Sequence, residues 1–451
     1  MKRSRGGGFR VEAGRESLVS STGAALLVQT AQVSGLTRGL SQQLAPWRAT
    51  RSIHDPGKTV LDLAVAIALG GDCLADAALV RAQPDLFGAV ASDPTISRLI
   101  EALGDDPDAA VAAIRRARAG AREAVWRQHC PVVAGEEVVV DLDATLIGAH
   151  SEKEGATPNF KRGFGFHPMM AFVDHGSGGT GEPLAAKLRP GRANASDAAD
   201  QIAVLDAALA QLPEAVRQRV LVRGDTGSGV KEFLWHIHHL GLSYSVGVYG
   251  RQPVLDALAA LPRQAWRRAL DADGCPRESA QVAELTRWLP ATFVGWPPGM
   301  RVIARRERPH PGAQLRITDA EGWRITLFAT NTTGGRLADL ERRHRLRARA
   351  EDRIRGLKDT GLTNLPLQAF AKNEIWLELA ALAYELLTWT QLLAWPDHPA
   401  RGWEPKRLRL RLLAVAARII TTGRRYILRL SRRWPWSELL ISGQRNLAAL
   451  N

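Results

Sequence analysis

The chain has 451 residues, 45% of them hydrophobic and 24% charged. That composition excludes a disordered or fibrous protein and leaves room for roughly two to four domains of about 150 residues each. Lysine and arginine exceed aspartate and glutamate by 14, an imbalance that favours a polyanionic partner, either nucleic acid or an anionic membrane.

Residues 1–55 begin rich in Gly, Arg and Ser and then become mixed. They read as a flexible basic arm with one short strand or helix near Ala24–Gln29. No apolar core follows Met1–Gly8, so the start is not a secretory signal. From Lys58 the apolar residues Val60, Leu61, Leu63, Ala64, Ile67 and Ala68 recur with helical spacing. Further helices are expected over Ala75–Ala82, from the capped start Asp93-Pro94, and over Ala109–His129. Residues 56–130 thus read as a helical N-terminal domain, a kind of module that commonly binds DNA and as commonly just packs.

The pattern changes at Pro131. Strands are expected over Glu137–Ile147, Gly163–Asp174 and Glu182–Leu188, with the glycines of Gly176–Gly181 as a turn. A helix over Ala198–Leu212, a strand over Arg219–Asp225, a helix over Gly229–Leu240 and a strand over Leu242–Val248 follow. This order, β-β-β-α-β-α-β, is the layout of a ribonuclease H-like α/β mixed sheet, in which the first strand lies beside the fourth. Residues 131–249 therefore read as the first part of a catalytic core. Residues 250–336 read as an inserted antiparallel β-region, with short strands at Thr292–Gly295, Arg301–Arg306, Gln314–Thr318 and Arg324–Ala329. Helix returns over 337–398 as the second part of the core. Ile375–Trp395 is the most apolar stretch, but Glu378 and Glu385 within it favour a buried helix over a membrane span. A basic helical C-terminal region is expected over 399–451, where residues 401–433 hold eleven Lys/Arg and a single acid, Glu404. Trp403, Tyr426, Trp434 and Trp436 are interleaved there, a texture suited to nucleic acid. Three cysteines, Cys73, Cys130 and Cys275, have neither zinc-ligand nor disulfide spacing, which fits a reducing cytosol.

Three acids stand out against this background. Asp143 lies in the β-branched run from Val138, with Asp141 on the same strand face as a rival. Asp225 ends the strand Val220-Leu221-Val222-Arg223-Gly224. Glu351 sits in a basic helix among Arg347, Arg349, Arg353, Arg355 and Lys358, where the plain alternative is a solvated face with Glu351 paired to Arg347 or Arg355. Carboxylates are strong oxygen ligands for the hard divalent ions that cut phosphodiesters. Arginine clamps phosphate bidentately and lysine acts on it as a point charge. His344, Arg347, Glu351 and Lys358 are separated by two, three and six residues. That is the spacing of the signature of the insertion-sequence 4 group of transposases, with His344 where the signature has tyrosine.

The chain resembles the insertion-sequence 1380 family of transposases. The stretches that carry the resemblance are DLDATLIGAHSEKEGATPNFKRGFGFHPMMAFVD, LRPGRANASD, RGDTGSG, RAEDRIRGLKDTGL and NEIWLELAALAYELL, from about residue 55 to 395. The resemblance implies a DDE triad of Asp143, Asp225 and Glu351, two Mg²⁺ ions with Mn²⁺ as a substitute, and cutting and joining of DNA at element ends. Its partners would be double-stranded DNA, as terminal inverted repeats and target, and a second copy of the chain in a homodimer assembled on DNA. No membrane is implied, and the compartment is the bacterial cytoplasm at the nucleoid. Arg347, Lys358, Arg355, Arg424 and Arg425 are the candidate DNA contacts. The alternatives are a catalytically inactive transposase-derived DNA-binding protein and a general ribonuclease H-like nuclease.

Overall fold

The computed structural model describes residues 17–133, 135–149, 152–176, 180–250, 252–289, 292–309, 312, 322–423 and 425–450. After a two-residue strand, Leu18–Val19, come helices, among them α1 (Ala24–Val33), α2 (Leu36–Gln43), α3 (Pro56–Ala68), α4 (Asp93–Gly104) and α5 (Pro107–Gln128). Asp55 caps α3 by accepting from the Lys58 N–H at 2.7 Å, with Pro56 in the first turn. α3 is buried on almost every side, as its apolar composition requires. The reading of residues 24–43 as part of an arm is corrected, because α1 and α2 place Ala24, Leu27, Leu36 and Leu40 at 0% exposure. Gln, Thr and Ser dilute the apolar period there, and Gly35 at φ 74° separates the two helices. The part of the arm over residues 1–16 lies outside the described residues.

The sheet follows in the expected order: β1 (Val138–Ala144), β2 (Met169–Asp174), β3 (Gly181–Lys187), α6 (Ala198–Gln211), β4 (Val220–Gly224), α7 (Lys231–His239) and β5 (Ser243–Gly247). β1–β2 and β2–β3 pair antiparallel, whereas β1–β4 and β4–β5 pair parallel. The spatial order β3-β2-β1-β4-β5 is the ribonuclease H-like arrangement. The expected strand Gly163–Asp174 is divided at His167-Pro168, since proline cannot donate to a ladder. Its first part, Phe164–Phe166, instead joins Ile147–Gly148 and Thr157–Pro158 in a small separate sheet.

The inserted region adds β6 (Arg267–Leu270), β7 (Pro276–Glu284), β8 (Arg301–Glu307) and β9 (Arg324–Thr330). These strands do not form a detached sheet. β9 pairs with β5, so one sheet of nine strands runs from β6 to β3. Thr292–Gly295 forms turns rather than the expected strand, and Gln314–Thr318 lies outside the described residues.

The chain closes with α8 (Leu337–Arg345), α9 (Arg349–Leu357), α10 (Phe370–Ala394), β10 (Ala417–Thr422), β11 (Arg425–Leu430) and α11 (Ser437–Ala448). The expected all-helical tail is corrected, because β10 and β11 form an antiparallel hairpin. The β-branched run Ile419-Ile420-Thr421-Thr422 before Gly423 explains it. α10 is buried along its length and packs on α1, α3, α4, α5 and β3. Glu378 and Glu385 inside it are neutralised by Arg118 and Arg122 of α5, with Arg118 Nε 2.6 Å from Glu385. Glu182 of β3 completes the network. It accepts from Arg122 and Trp126 at 2.7 Å and from Trp389 at 2.9 Å. Because removing any partner would strand a buried charge, this network ties the N-terminal helices, the sheet and α10 to one another.

Candidate active site

The parallel ladder of β1 and β4 pairs Asp141 with Arg223 and Leu142 with Gly224. One step further along, Asp143 and Asp225 follow at the carboxyl ends of these neighbouring strands, close enough for the charge of Asp225 to act on Asp143. Both extend the face that carries Asp141 and Arg223. Asp143 Oδ1 accepts from the Ala144 N–H at 2.8 Å, and Asp225 Oδ1 accepts from the Gly227 N–H at 2.8 Å. Among the described residues no hydrogen bond engages the second oxygen of either carboxylate.

Glu351 arrives on α9, which packs against β1, β2 and β3. Buried charge fixes α9 there. Asp174 of β2 accepts from Arg349 and Arg353 of α9, each at 3.1 Å, and from Arg223 at 2.9 Å. Arg223 also holds both oxygens of Asp141 at 2.7 Å and donates to the Arg343 carbonyl of α8 at 3.0 Å. Asp141 is therefore committed to the core, and Asp143 is the acid of β1 with free valence.

Burial, first, and the negative charge of Asp225, second, push the Asp143 carboxyl up from 3.8 to about 6. Glu351 adds to the rise, while the Ala144 N–H and Arg347 oppose it. The three acids thus share one electrostatic field. They do not close into a contact cluster: among the described residues, Asp72, Cys73 and Asp76 form the set of three ligands lying mutually within 4.8 Å. In that set Asp76 Oδ2 is already taken by the Asp72 N–H at 2.8 Å and the Cys73 N–H at 3.0 Å, so it is a helix cap. Glu351 is exposed and, among the described residues, makes no ion pair, so the i,i+4 alternative for it is not formed.

The sequence profile of the family described as transposase DDE domain group 1 matches residues 6–451. The chain belongs to that family. Among solved structures, a cryo-EM structure of a piggyBac transposase synaptic complex with hairpin DNA is similar at a TM-score of 0.41 and 8% identity, over 86% of this chain and 79% of that one. No curated protein matches.

The candidate cations of this DDE transposase chain differ in how they stand to the acids. Arg347 lies close enough to Asp143 to favour its ionised form. Lys358 donates to the Leu146 carbonyl at 3.0 Å, and burial, then Lys161, holds its ammonium below the usual lysine range. Arg355 points elsewhere, to Asp352 and Glu404, each at 3.0 Å. Arg424 lies outside the described residues, as does the side chain of Arg425, whose backbone opens β11. His344 stacks on Phe328 with ring centres 4.5 Å apart, and its Nδ1 lies 3.1 Å from Ser245 Oγ. Burial, then Arg347, pushes it down to about 3, so it is neutral. His167, just before Pro168 at a strand end, is near the site as well as held by the fold. Its Nδ1–H donates to the Ala193 carbonyl at 2.9 Å, and the charge of Asp225 reaches its ring. Among the described residues no helix is long and apolar enough to cross a membrane.

Proposed function

We propose that this protein is a transposase of the insertion-sequence 1380 type that cuts and rejoins DNA at the ends of its element. The observation that supports this reading is the parallel pairing of β1 and β4, the strands that lead into Asp143 and Asp225, with Asp143 under the charges of both Asp225 and Glu351. The donor set fits Mg²⁺ or Mn²⁺. All its atoms are carboxylate oxygens, and among the described residues four of the six have no hydrogen-bond partner, while burial, then the charge of Asp225, raises the Asp143 carboxyl. Asp143, Asp225 and Glu351 would hold the metal. When bound, a pair of such ions supplies activation of the attacking oxygen and stabilisation of the leaving oxygen in an in-line displacement.

The chain's own residues do the rest. Arg347 and Lys358 bind phosphate beside the scissile bond, and the Asp174 network keeps Glu351 in register with the strand ends. Hydrolysis at an element end frees a 3′-hydroxyl, which attacks target DNA at the same centre. No covalent protein–DNA intermediate is needed. Recognition of the terminal inverted repeats belongs to the helices of residues 56–130, and joining two ends calls for a homodimer on DNA in the bacterial cytoplasm. The test is cleavage and strand transfer on DNA bearing the element's ends, with random DNA as control. Asp143→Ala, Asp225→Ala and Glu351→Ala are each expected to abolish both steps. Full activity in one of them removes that residue from the triad, and equal cutting of random DNA would make the protein a general nuclease.

A further inference from the structure

The small sheet of residues 147–148, 157–158 and 164–166 carries a tight turn, Asn159-Phe160-Lys161-Arg162-Gly163, that no role above uses. The turn is built to hold its shape. Asn159 Oδ1 accepts from the Lys161 N–H at 3.0 Å and the Gly163 N–H at 3.1 Å. Its stem is clamped, since a side chain at Gly165, φ 149°, would meet the Ile147 carbonyl oxygen at 2.0 Å.

Two residues mark the tip, Phe160 and Arg162, the latter in the left-handed position that closes this hairpin. Phe160 is 70% exposed on a turn that has no core to fill. Arg162 has φ 61° and is the single non-glycine residue with positive φ among the described residues, a conformation costly for a residue with a side chain. The tip is also next to the acids. The Phe160 ring lies 5.7 Å from the His167 ring. His167 feels the charges of both Asp225 and Lys161, and Lys161 also acts on Lys358. Lys161 Nζ sits 5.8 Å from the centre of the Phe160 ring. An open aromatic face flanked by exposed cations at the rim of an acidic centre is the chemistry that single-stranded nucleic acid fits: base on ring, phosphate on ammonium and guanidinium.

We propose that the Asn159–Gly163 turn is a binding site for an unpaired nucleotide beside the cutting centre, with Phe160 stacking on the base and Lys161 and Arg162 holding the adjoining phosphates. The proposal rests on the DNA-cutting reading above and adds that the DNA is opened at the site. Phe160 and the two cations are positioning residues.

The probe is a short duplex ending in an unpaired fork that carries a fluorescent adenine analogue quenched on stacking, compared with the same duplex fully paired. Wild-type protein should bind the fork more tightly and quench the analogue. Phe160→Ala should lose about tenfold in fork affinity together with the quench, while blunt-duplex affinity changes little. Phe160→Trp should keep both. Arg162→Gly relieves the strained backbone, so it should melt no lower than wild type yet bind the fork more weakly. Equal wild-type affinity for fork and blunt duplex, or Phe160→Ala protein that is folded and quenches normally, overturns the proposal. Asp143→Ala separates the two ideas: it should leave the quench in place while cutting is lost. Cutting that survives Asp143→Ala counts against the catalytic assignment alone.

Discussion

Replacing Arg223 with Met probes the charge that fastens the Glu351 helix to the sheet. Arg223 is 2% exposed at its side chain, and its partners Asp141 and Asp174 are 3% and 4% exposed. Asp174 retains Arg349 and Arg353, so the loss falls on Asp141, whose two 2.7 Å bonds both come from Arg223. Removing one partner of such a buried pair costs about 3–5 kcal/mol, because the remaining charge is uncompensated. Burial already raises the Asp141 carboxyl despite the opposing Arg223. Without the guanidinium it rises further, so the folded variant binds a proton that the unfolded chain releases. Its deficit is therefore full at neutral pH and shrinks on acidification towards the ordinary carboxylate range. Chemical denaturation followed by circular dichroism at neutral and mildly acid pH measures this. Asp141→Asn combined with Arg223→Met should recover part of the loss, since the stranded charge is gone. A loss below about 1 kcal/mol for Arg223→Met, or a double variant no better than the single one, refutes the reasoning.

The raised Asp143 has its own signature. Its folded carboxyl sits at about 6 against an ordinary 3.8, so ionising it in the folded protein costs stability as pH rises between those values. In metal-free buffer Asp143→Asn should stabilise the protein above that window by about 3 kcal/mol and change little below it, read from denaturation midpoints at the two pH values. Lys358→Ala should weaken DNA binding independently of sequence and make the log–log salt slope shallower by about 1. His344, pushed down to about 3, should show no titration across the neutral range in imidazole NMR spectra; a midpoint near the ordinary histidine value would mean that its site is open to water.

Legibility in the sequence followed the source of each element's stability. The strands of the ribonuclease H-like core are apolar runs, one of them leading into an acid, Val220-Leu221-Val222-Arg223-Gly224-Asp225, and their order alone placed β1 beside β4. The buried acids of α10 were readable as core residues, but their partners Arg118 and Arg122 were not, because nothing local in α5 points to a carboxylate more than 250 residues away. β6 and β7 escaped notice because Arg267-Arg268 and Pro276-Arg277-Glu278 have poor strand character, and ladder pairing supplies what propensity lacks. Asp141 and Asp143 were equivalent on strand parity. The pairing of Arg223 with Asp141 distinguishes the two acids in the fold, and it becomes visible only when the register is known. The strained Arg162 lay within a matched motif, but a backbone angle is not written in residue types.

Anomalous diffraction from manganese soaked into crystals of the protein bound to DNA tests the centre most directly. The account predicts density bounded by the carboxylates of Asp143, Asp225 and Glu351, beside a phosphate held by Arg347. Manganese elsewhere, with none between those side chains, would contradict it.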